Sequence, residues 1–450
     1  MSEIIRIRRG LDIKLQGKAE KIYLKTERSL LYAIKPTDFT GITPRLAVKP
    51  GDLVKTGSLL FCDKNHPEIK FTAPVSGKVS DIIRGERRII LAVVIESDGK
   101  DEFIQFIKAE PSQLTKEKII ENLLESGMWP VIRQRPYSVI ANPSDSPKSI
   151  FISGFDTAPL APDIDFIVKD VPVEFQKGID AMKKLTPGNI HLCIDGTKSA
   201  SATFSSVKGV DIHKFKGPHP AGNVGVHIHH IDPINKGDIV WFISPQDVIR
   251  IGRLFMDGQI DNTNIAAVTG SEVIKPSYYK VLRCTSIAPL IKDNIKQGEH
   301  RFISGNVLTG SKIEKGGFLG FYDNQLTVIP EGKNFDFLGW ALPGIDKYSV
   351  SRSFFSWLAP AKEYKIDTNL KGGHRAYVMS GEYEKVFPMD IYPVHLIKAI
   401  LAEDIDKMER LGIYEVAEED FALCEFVCTS KTDVQSIIRK GLDLMRKEME

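Results

Sequence analysis

The sequence lacks the glycine patterns of the common nucleotide-binding loops. It holds 35 glycines, but no two of them are separated by a single residue, so a GxGxxG loop cannot occur. The GxxxxGKS/T pattern is missing as well. Both loops need glycine because backbone N–H groups must come close to phosphates at a helix N-terminus. We therefore expect no nucleotide bound by either loop in this chain.

Cysteine is scarce too, with five residues in a chain of 450. They are Cys62, Cys193, Cys284, Cys424 and Cys428. So few cysteines, so widely spread, argue against a disulfide framework in a chain of this size. The composition instead favours reduced thiols in a cytosolic setting.

The sequence has neither a large excess of one charge sign nor a long apolar run. A formal net charge of +2 gives no sign of the basic surface that binding to nucleic acid requires. The best apolar run, IILAVVI (Ile89 to Ile95), is far shorter than the ~20 residues of a membrane span. The N-terminus, MSEIIRIRRGLDIKL, has no continuous apolar core and is not a signal peptide. We expect a cytoplasmic chain, or one held at a membrane only through partners.

The hydrophobic period changes along the chain and predicts four regions. Residues 1–105 read as all-β, because RIRRGLDIKL alternates polar and apolar residues and turns follow at KPGD, SG and RGE. In residues 106–258, amphipathic helices such as SQLTKEKIIENLLESG alternate with apolar strands, which is typical of a parallel α/β sheet. Residues 259–332 are strand-rich around a short helix near APLIKDNI and predict a small α+β module. Residues 333–450 turn helical, with period-3.6 stripes in VHLIKAILAEDIDKMERLG and DVQSIIRKGLDLMRKE.

Two stretches of the first region resemble the modules that carry biotin or lipoate on a lysine. They are GDLVKTGSLL (Gly51 to Leu60) and FTAPVSGKV (Phe71 to Val79). A carrier presents its lysine at the tip of a β-hairpin, between two methionines. Here the tip reads DKNHPE, Lys64 has no methionine beside it, and Pro67 stiffens the turn. The sequence therefore predicts an unmodified structural barrel rather than a swinging-arm carrier.

Bulky side chains stand where an α/β domain would hold phosphates. After the first helix of this region the chain reads GMWPVIRQRPYS (Gly127 to Ser138). Its tryptophan, prolines, arginines and tyrosine would fill the space that a nucleotide needs. A flavin dehydrogenase of the complex I type would require a glycine-rich loop here.

Motifs along nearly the whole chain carry a family resemblance. They are IRRGLDIKLQG (Ile7 to Gly17), KFTAPVSGKV, RGERR, VVIE (Val93 to Glu96), SGMWPVIRQRPYS, HPAGNVGVHIHHIDP (His219 to Pro233) and EEDFALCEFVC (Glu418 to Cys428). The order of the regions resembles the flavin- and NADH-binding subunit of respiratory complex I and the Rnf-type electron-transport subunit. The motifs are more similar to the family of the A subunits of the sodium-translocating NADH:quinone reductases.

This resemblance implies both a fold and a function. The fold would be a carrier-like β-barrel, a Rossmann-like α/β domain, a ubiquitin-like (β-grasp) module and a C-terminal helical domain. The chain would be a peripheral subunit, on the cytoplasmic face of the inner membrane, of a six-subunit complex that oxidises NADH, reduces ubiquinone or menaquinone and exports Na⁺. NADH, flavins and iron centres would belong to partner subunits, and this chain would bind no cofactor and contain no complete catalytic site. The alternative is a purely structural scaffold subunit of an Rnf-type or complex I-like complex.

Two loops that mix aromatics, proline and cations are candidates for a quinone site or for a subunit interface. A quinone needs an apolar slot, an aromatic or proline wall, and donors for its carbonyl oxygens. The loops are YAIKPTDFTGITPR (Tyr32 to Arg45) and the bulky loop above. The candidate residues are Lys35, Pro36, Asp38, Phe39, Gly41, Trp129, Arg133, Arg135, Pro136, Tyr137 and Ser138.

Histidine and cysteine pairs are further candidates, as metal ligands. His227 and His229 would share one side of a possible strand, with His230 opposite and His219 nearby. No carboxylate or cysteine has matching spacing, so ordinary hydrogen-bonded histidines are expected. Cys424 and Cys428, at i and i+4 of a helical stripe, supply only half a cluster and are expected to be buried core thiols.

Overall fold

A computed structural model describes residues 4–333, 337–339 and 342–449. The first 105 residues contain two small antiparallel sheets. One sheet has the strand order Leu31–Ile34, Ile90–Ser97, Gly77–Arg84 and Leu53–Val54, and the other has the order Pro44–Leu46, Leu59–Asp63 and Lys70–Thr72. We call them together the barrel. Phe61 and Phe71 stack at 4.6 Å in its interior.

The second region contains a seven-stranded sheet that is mainly parallel, as predicted. Its strand order is Ile4–Arg6, Asp211–Lys216, Asn189–Asp195, Ser149–Ser153, Val240–Ile243, Arg133–Arg135 and Val139–Ile140. The first five strands are parallel, and the last two continue the sheet in antiparallel orientation. Ile150 and Ile152 pack into one core and Phe151 into the other, so both faces of the central strand are buried.

Six α-helices belong to this second region. They are Lys116–Glu125, Ile164–Val168, Pro172–Met182, Ala202–Ser205, Val224–Ile231 and Pro245–Asp257. The first begins at Thr115, whose hydroxyl accepts the N–H of Lys118, and the chain leaves it through Gly127 at φ +71°. The helix in SQLTKEKIIENLLESG and its glycine stop are thus confirmed.

The third region forms a mixed sheet around the short helix Ala288–Ile291. Its strand order is Ser311–Ile313, His300–Ser304, Gln325–Pro330, Thr263–Thr269, Ser277–Leu282 and Glu20–Leu24. The two central strands, Gln325–Pro330 and Thr263–Thr269, are parallel to each other. The small α+β module predicted from the sequence is present, with an extra edge strand from the N-terminus.

The prediction of a strand along RIRRGLDIKL is wrong. Only Arg6 lies in a strand, and that strand, Ile4–Arg6, joins the seven-stranded sheet rather than the barrel. Beyond it the backbone bonds to separate elements: Gly10 N–H donates to Lys385 O and Leu11 N–H to His219 O. The alternation therefore marks an extended segment that crosses between regions. Residues 4–24 contribute strands to two sheets outside the barrel.

Helices return near the C-terminus after a long irregular segment. The α-helices are Tyr383–Val386, Pro393–Leu401, Ile405–Arg410, Ala422–Val427 and Val434–Met449, and we call residues 383–449 the helical tail. Within 337–379, which we call the apolar segment, the described residues contain only the 3-10 helix Phe355–Leu358. The remaining 3-10 helices are Pro36–Asp38, Glu86–Arg88, Pro111–Gln113, Trp129–Val131, Ile413–Glu415 and Glu418–Phe421. No helix in the described ranges is long and apolar enough to cross a membrane.

Candidate functional site

Tyr322 brings the two predicted loops together. Its ring lies 5.7 Å from the ring of Phe39, in the first loop. The guanidinium of Arg133, in the second loop, lies 4.6 Å from the same ring, and the hydroxyl donates to Pro130 O at 2.7 Å. Burial raises the pKa of this hydroxyl, although Arg133 lowers it. Sequence reasoning missed Tyr322, because nothing in GFYDN indicates that two distant loops would meet there.

Phe39 lies inside an aromatic cluster rather than at a surface. Its ring is 4.5 Å from Phe71 of the barrel and 4.8 Å from Phe321, between ring centroids. The side chain is buried. Phe39 therefore anchors its loop by packing, and any contact with a ligand would require a rearrangement of the cluster.

Lys35, Pro36 and Asp38 form a turn beside this cluster. The Lys35 ammonium lies 3.3 Å from the Asp38 carboxylate, which also accepts the N–H of Phe321 at 2.8 Å. Burial raises the pKa of Asp38, while Lys35 and the Phe321 N–H act in the opposite direction. Pro36 begins the 3-10 turn and is buried. These charges hold the loop onto the third region.

Arg135 joins the second region to the helical tail. Its guanidinium is fully buried and donates to Asp420 at 2.6 Å, to Glu419 at 2.8 Å and to the carbonyl of Glu415 at 2.8 Å. Burial acts to lower the pKa of Arg135, but the neighbouring carboxylates outweigh it and the net direction is upward. The arginine that the sequence suggests as a donor to a ligand is engaged inside the protein.

Trp129 fills the interior behind the same loop. Its indole N–H donates to Ala141 O at 2.7 Å, and its ring meets Trp241 edge-on at 5.5 Å. Arg133, by contrast, is half-buried and also lies over the Phe242 ring at 4.5 Å. Bulky groups thus occupy the start of this loop.

An open cavity of about 330 Å³ lies where the barrel, the seven-stranded sheet and the helical tail meet. Among the candidate residues, Gly41, Pro136 and Tyr137 line it. The rings of Tyr137 and Tyr414 meet edge-on at 6.5 Å, and Arg446 of the last helix closes another side. Further lining residues include Thr40, Ile42, Asp63, His66, Ile69, Gln134, Val139, Ile140, Asn142, Asp145, Lys236, Gly237, Asp238, Ile239 and Met449. Ser138 is half-buried beside Tyr137.

The cavity combines apolar walls with groups that can donate hydrogen bonds. Lys236 pairs with Glu409 at 2.8 Å, and the Tyr414 hydroxyl donates to the same carboxylate. Burial and this carboxylate raise the pKa of Tyr414, so the phenol keeps its proton. Such a lining suits a neutral ring that carries carbonyl oxygens. Sequence reasoning missed Tyr414 and Arg446, because they lie in a region remote from both loops.

The interpretation of GNVGVHIHH as a possible strand is wrong, because these residues form the helix Val224–Ile231. A short run in which apolar residues alternate with histidines does not separate the two periods. The expected hydrogen bonds are present. His227 bonds to Ala221 O at 2.9 Å, while His229 bonds to the Glu415 carboxylate at 2.7 Å and accepts the N–H of Asp390.

His219 and His230 are also hydrogen-bonded within the protein. The His219 ring lies 3.2 Å from the hydroxyl of Thr157, and the His230 ring lies 2.9 Å from Val226 O. Burial lowers the pKa of His219 to about 4 and that of His227 to about 3. Both rings are therefore neutral at pH 7.

Cys424 and Cys428 are buried thiols, as predicted. Burial raises the pKa of Cys424, and Cys428 accepts the N–H of Thr432 at 3.4 Å. Within the described ranges, no group of three or more histidine, cysteine, aspartate or glutamate side chains has a geometry suited to a metal ion.

Lys64 is exposed in the turn between the strands Leu59–Asp63 and Lys70–Thr72. The predicted hairpin is therefore present. Pro67 stands in the same turn, and Asp63 accepts the N–H groups of Thr43 and Asn65, so the tip is fastened to the barrel.

Three family models match successive parts of this chain. The NqrA N-terminal barrel-sandwich hybrid domain matches residues 5–98, the NqrA second alpha/beta domain matches residues 114–260, and the NQRA C-terminal domain matches residues 265–315.

Curated relatives match over almost the full length. The A subunit of the Na(+)-translocating NADH-quinone reductase from Pasteurella multocida (strain Pm70) is 37% identical over 448 residues, which cover 99% of this chain and 100% of the relative. Proteins of the same name from Neisseria meningitidis serogroup C and Yersinia pestis bv. Antiqua are each 38% identical with the same coverage. Among solved structures, an NAD+-reducing [NiFe]-hydrogenase in the H2-reduced state matches 75% of this chain and 62% of its own, with a TM-score of 0.40 and 10% identity. That likeness is too low to support a conclusion.

Proposed function

Because this chain belongs to the NqrA family, the A subunits of the Na(+)-translocating NADH-quinone reductases, we propose that it is the corresponding peripheral subunit of a complex that transfers electrons from NADH to a quinone and exports Na⁺. The observation that carries this proposal is the identity of 37–38% across the entire length of the named relatives. The match leaves no separate domain of this chain outside the family.

The position of the chain in that complex follows from the same proposal. It docks on the cytoplasmic face of the inner membrane, against an integral partner among five other subunits. Flavins, iron centres and the NADH site belong to those partners. Support comes from the loop Gly127 to Ser138, which is filled by bulky buried side chains.

Strand order supports two finer fold assignments. The parallel strands Asp211–Lys216, Asn189–Asp195, Ser149–Ser153 and Val240–Ile243 follow the order 3-2-1-4 of a Rossmann-like half. In the third region, the hairpin Thr263–Leu282 leads through a short helix to a strand, Gln325–Pro330, that is parallel to the first. That is the arrangement of a β-grasp module.

The cavity lined by Tyr137 and Tyr414 is the proposed position of the quinone ring. Its volume of about 330 Å³ lies at the lower end of the range typical of small-molecule sites. The aromatic pair supplies a wall, Pro136 supplies a rigid edge, and Arg446 supplies donors for the carbonyl oxygens. Phe39, Trp129 and Arg135 support this cavity from the interior instead of lining it.

Replacing Tyr137 by leucine tests the quinone position. Loss of the aromatic contact should weaken ring binding by about 0.5–1.5 kcal/mol and raise the apparent quinone KM of the assembled complex roughly 2–10-fold. Tyr392→Leu is the matched control, because that tyrosine is exposed and pairs with His395 away from the cavity. Equal quinone KM values for Tyr137→Leu and the wild type, in fully assembled complexes, would show that the ring binds elsewhere.

The assignment to the complex is tested by gentle detergent extraction of membranes that contain the tagged chain. We expect integral partners to be recovered together with Na⁺-stimulated NADH:quinone reductase activity. Recovery of the intact chain without this activity, or with a complex that does not respond to Na⁺, would refute the proposal. The isolated chain should show no stoichiometric flavin absorbance.

A further inference from the structure

The apolar segment exposes apolar side chains to an extent that no other stretch of similar length matches among the described residues. Phe337 is 90% exposed, and Ile345, Phe355, Trp357 and Leu358 are each at least half exposed. Single exposed apolar residues are ordinary, but a concentration of them marks an interaction surface. Long irregular segments inside a compact chain are also uncommon unless they serve a function.

Hydrogen bonds hold the exposed side chains in one lobe. Phe355 N–H donates to Pro343 O at 2.9 Å, which joins residues 342–347 to the 3-10 helix. The Lys347 ammonium donates to Gly339 O at 2.9 Å and lies 5.6 Å from the Phe354 ring. These contacts join residues 337–339 and 342–347 to the 3-10 helix, and we call these residues together with the helix the lobe.

The lobe is fixed to the body of the protein. Tyr364 N–H donates to Lys14 O at 2.8 Å, and Gln16 N–H donates to Tyr364 O at 3.1 Å. The Tyr364 ring meets Tyr348 edge-on at 5.4 Å, and Tyr348 in turn contacts Phe426 of the helical tail. The exposed groups are therefore presented from a defined place on the molecule.

The charge of the segment indicates what covers it. Residues 337–379 contain six lysines and arginines against three acidic residues, an excess of three positive charges in a chain whose total is +2. Four of the six are lysines: Lys347, Lys362, Lys365 and Lys371. Lysine is depleted in the cores of protein interfaces, whereas lysine and tryptophan together are typical of the boundary between water and lipid.

We propose that the apolar segment binds the surface of an anionic lipid bilayer. Phe355, Trp357 and Leu358 enter the boundary between headgroups and acyl chains, and the surrounding cations contact lipid phosphates. This inference rests on the proposed function, because it adds a lipid contact to a subunit that is already docked at a membrane.

Sedimentation of the full chain with vesicles tests the proposal. The chain should bind vesicles of phosphatidylglycerol and phosphatidylethanolamine more tightly than vesicles of phosphatidylcholine, and binding should weaken as salt is raised. The double variant Trp357→Ser/Leu358→Ser should lower the partition coefficient by at least about tenfold. The matched control, Leu30→Ser/Leu53→Ser, removes two side chains that are 72% and 84% exposed elsewhere and should leave binding unchanged.

Quenching by lipids with brominated acyl chains locates the contact. The background variant Trp340→Phe retains Trp129, Trp241 and Trp357 as its tryptophans. Its emission should fall on binding, and the further change Trp357→Phe should remove most of that quenching. Trp129 and Trp241 are fully buried and should not respond. Equal quenching with and without Trp357→Phe would overturn the assignment of the contact to this lobe.

The results also separate this inference from the proposed function. If the wild-type chain does not bind anionic vesicles, but the tagged chain still brings down Na⁺-stimulated quinone reductase activity, the lipid contact is refuted and the proposed function stands. If the double variant loses its integral partners while wild type ignores vesicles, the surface docks on protein and the inference is wrong. Lipid binding that Trp357→Ser/Leu358→Ser abolishes, together with no recovery of the complex, supports the lipid contact and refutes the proposed function.

Discussion

The helical tail and the apolar segment are neighbours in the chain, but they differ in the burial of their apolar side chains. In the tail, Leu396, Leu423 and Leu442 are buried in one core with strands of the seven-stranded sheet. In the segment, Leu342 and Leu358 are more than half exposed. Burial of a leucine contributes about 1.5–3 kcal/mol to folding, and an exposed leucine contributes almost none of it. These three leucines of the tail therefore serve the fold, and the two of the segment are available to something outside the chain.

Ion pairs of the two parts also differ in burial. The tail is joined to the sheet by the fully buried pair of Arg135 and Asp420 at 2.6 Å. In the segment, Lys371 lies 3.6 Å from Asp367 and its side chain is 58% exposed. An exposed pair contributes roughly 0–1 kcal/mol, whereas removing one partner of a buried pair leaves an uncompensated charge. The tail is therefore attached by a buried pair, whereas the ammonium of Lys371 in the segment remains accessible to solvent.

The largest effect is expected when the buried attachment of the tail is broken. Arg135→Met should lower the free energy of unfolding by about 3–5 kcal/mol, because Asp420 stays buried without its cation. Urea unfolding of the full chain measures this. Arg28→Met is the matched control, since Arg28 pairs with Asp101 at the surface and should change stability by about 1 kcal/mol or less. Equal losses in both variants would contradict the distinction between the two kinds of pair.

A second pair of variants compares the same truncation in both parts. Leu396→Ala, in the helix Pro393–Leu401, should lower the free energy of unfolding by about 2–5 kcal/mol because it leaves a cavity. Leu358→Ala should change it by less than about 0.5 kcal/mol. A loss above about 1 kcal/mol at Leu358 would show that the segment contributes to the core, and it would weaken the case for an external partner.

Much of the fold is predictable because it follows local patterns. The helix Lys116–Glu125 has a threonine cap, an apolar stripe and a glycine stop, and the sequence predicts it together with its end. Most of the alternating strands and helices between 149 and 257 are also predictable, since buried strands and amphipathic helices differ in period, but the helix Val224–Ile231 is not. Where the strands of residues 4–24 pair is not predictable, because pairing partners more than 200 residues away leave no local trace.

The candidate site is predictable only in part, for a related reason. Composition singles out both loops, and Tyr322 does bring them together. The sequence does not show that Arg135 is neutralised by Asp420, 285 residues further along, or that Tyr414 lines the cavity. The mixture of aromatics and cations marks the two loops as candidates. The roles of individual side chains depend on contacts with residues that are distant in the sequence, and these contacts are seen only in the structure.

The smallest expected change in stability is its dependence on pH. It arises in the core that the tail shares with the helix Val224–Ile231. His227 is fully buried there against Phe215, at 4.5 Å between ring centroids, and burial lowers its pKa to about 3 from 6.5. The unfolded chain therefore takes up this proton first, so the stability associated with the neutral ring is complete above about pH 6.5 and is lost as the pH falls below it. At pH 5.5, about one unit below the ordinary pKa of 6.5, the loss should be about 1.4 kcal/mol, from about 1.36 kcal/mol per unit of pH.

His227→Gln removes this titration while its side-chain amide can still donate to Ala221 O. Its stability at pH 8 gives the cost of the substitution itself, and the decrease between pH 8 and 5.5 should be about 1.4 kcal/mol smaller than in the wild type. Urea unfolding of both proteins at both pH values provides the comparison. Identical decreases in the two proteins would mean that water reaches the ring, and the core beneath the tail would then be less closed than its buried leucines indicate.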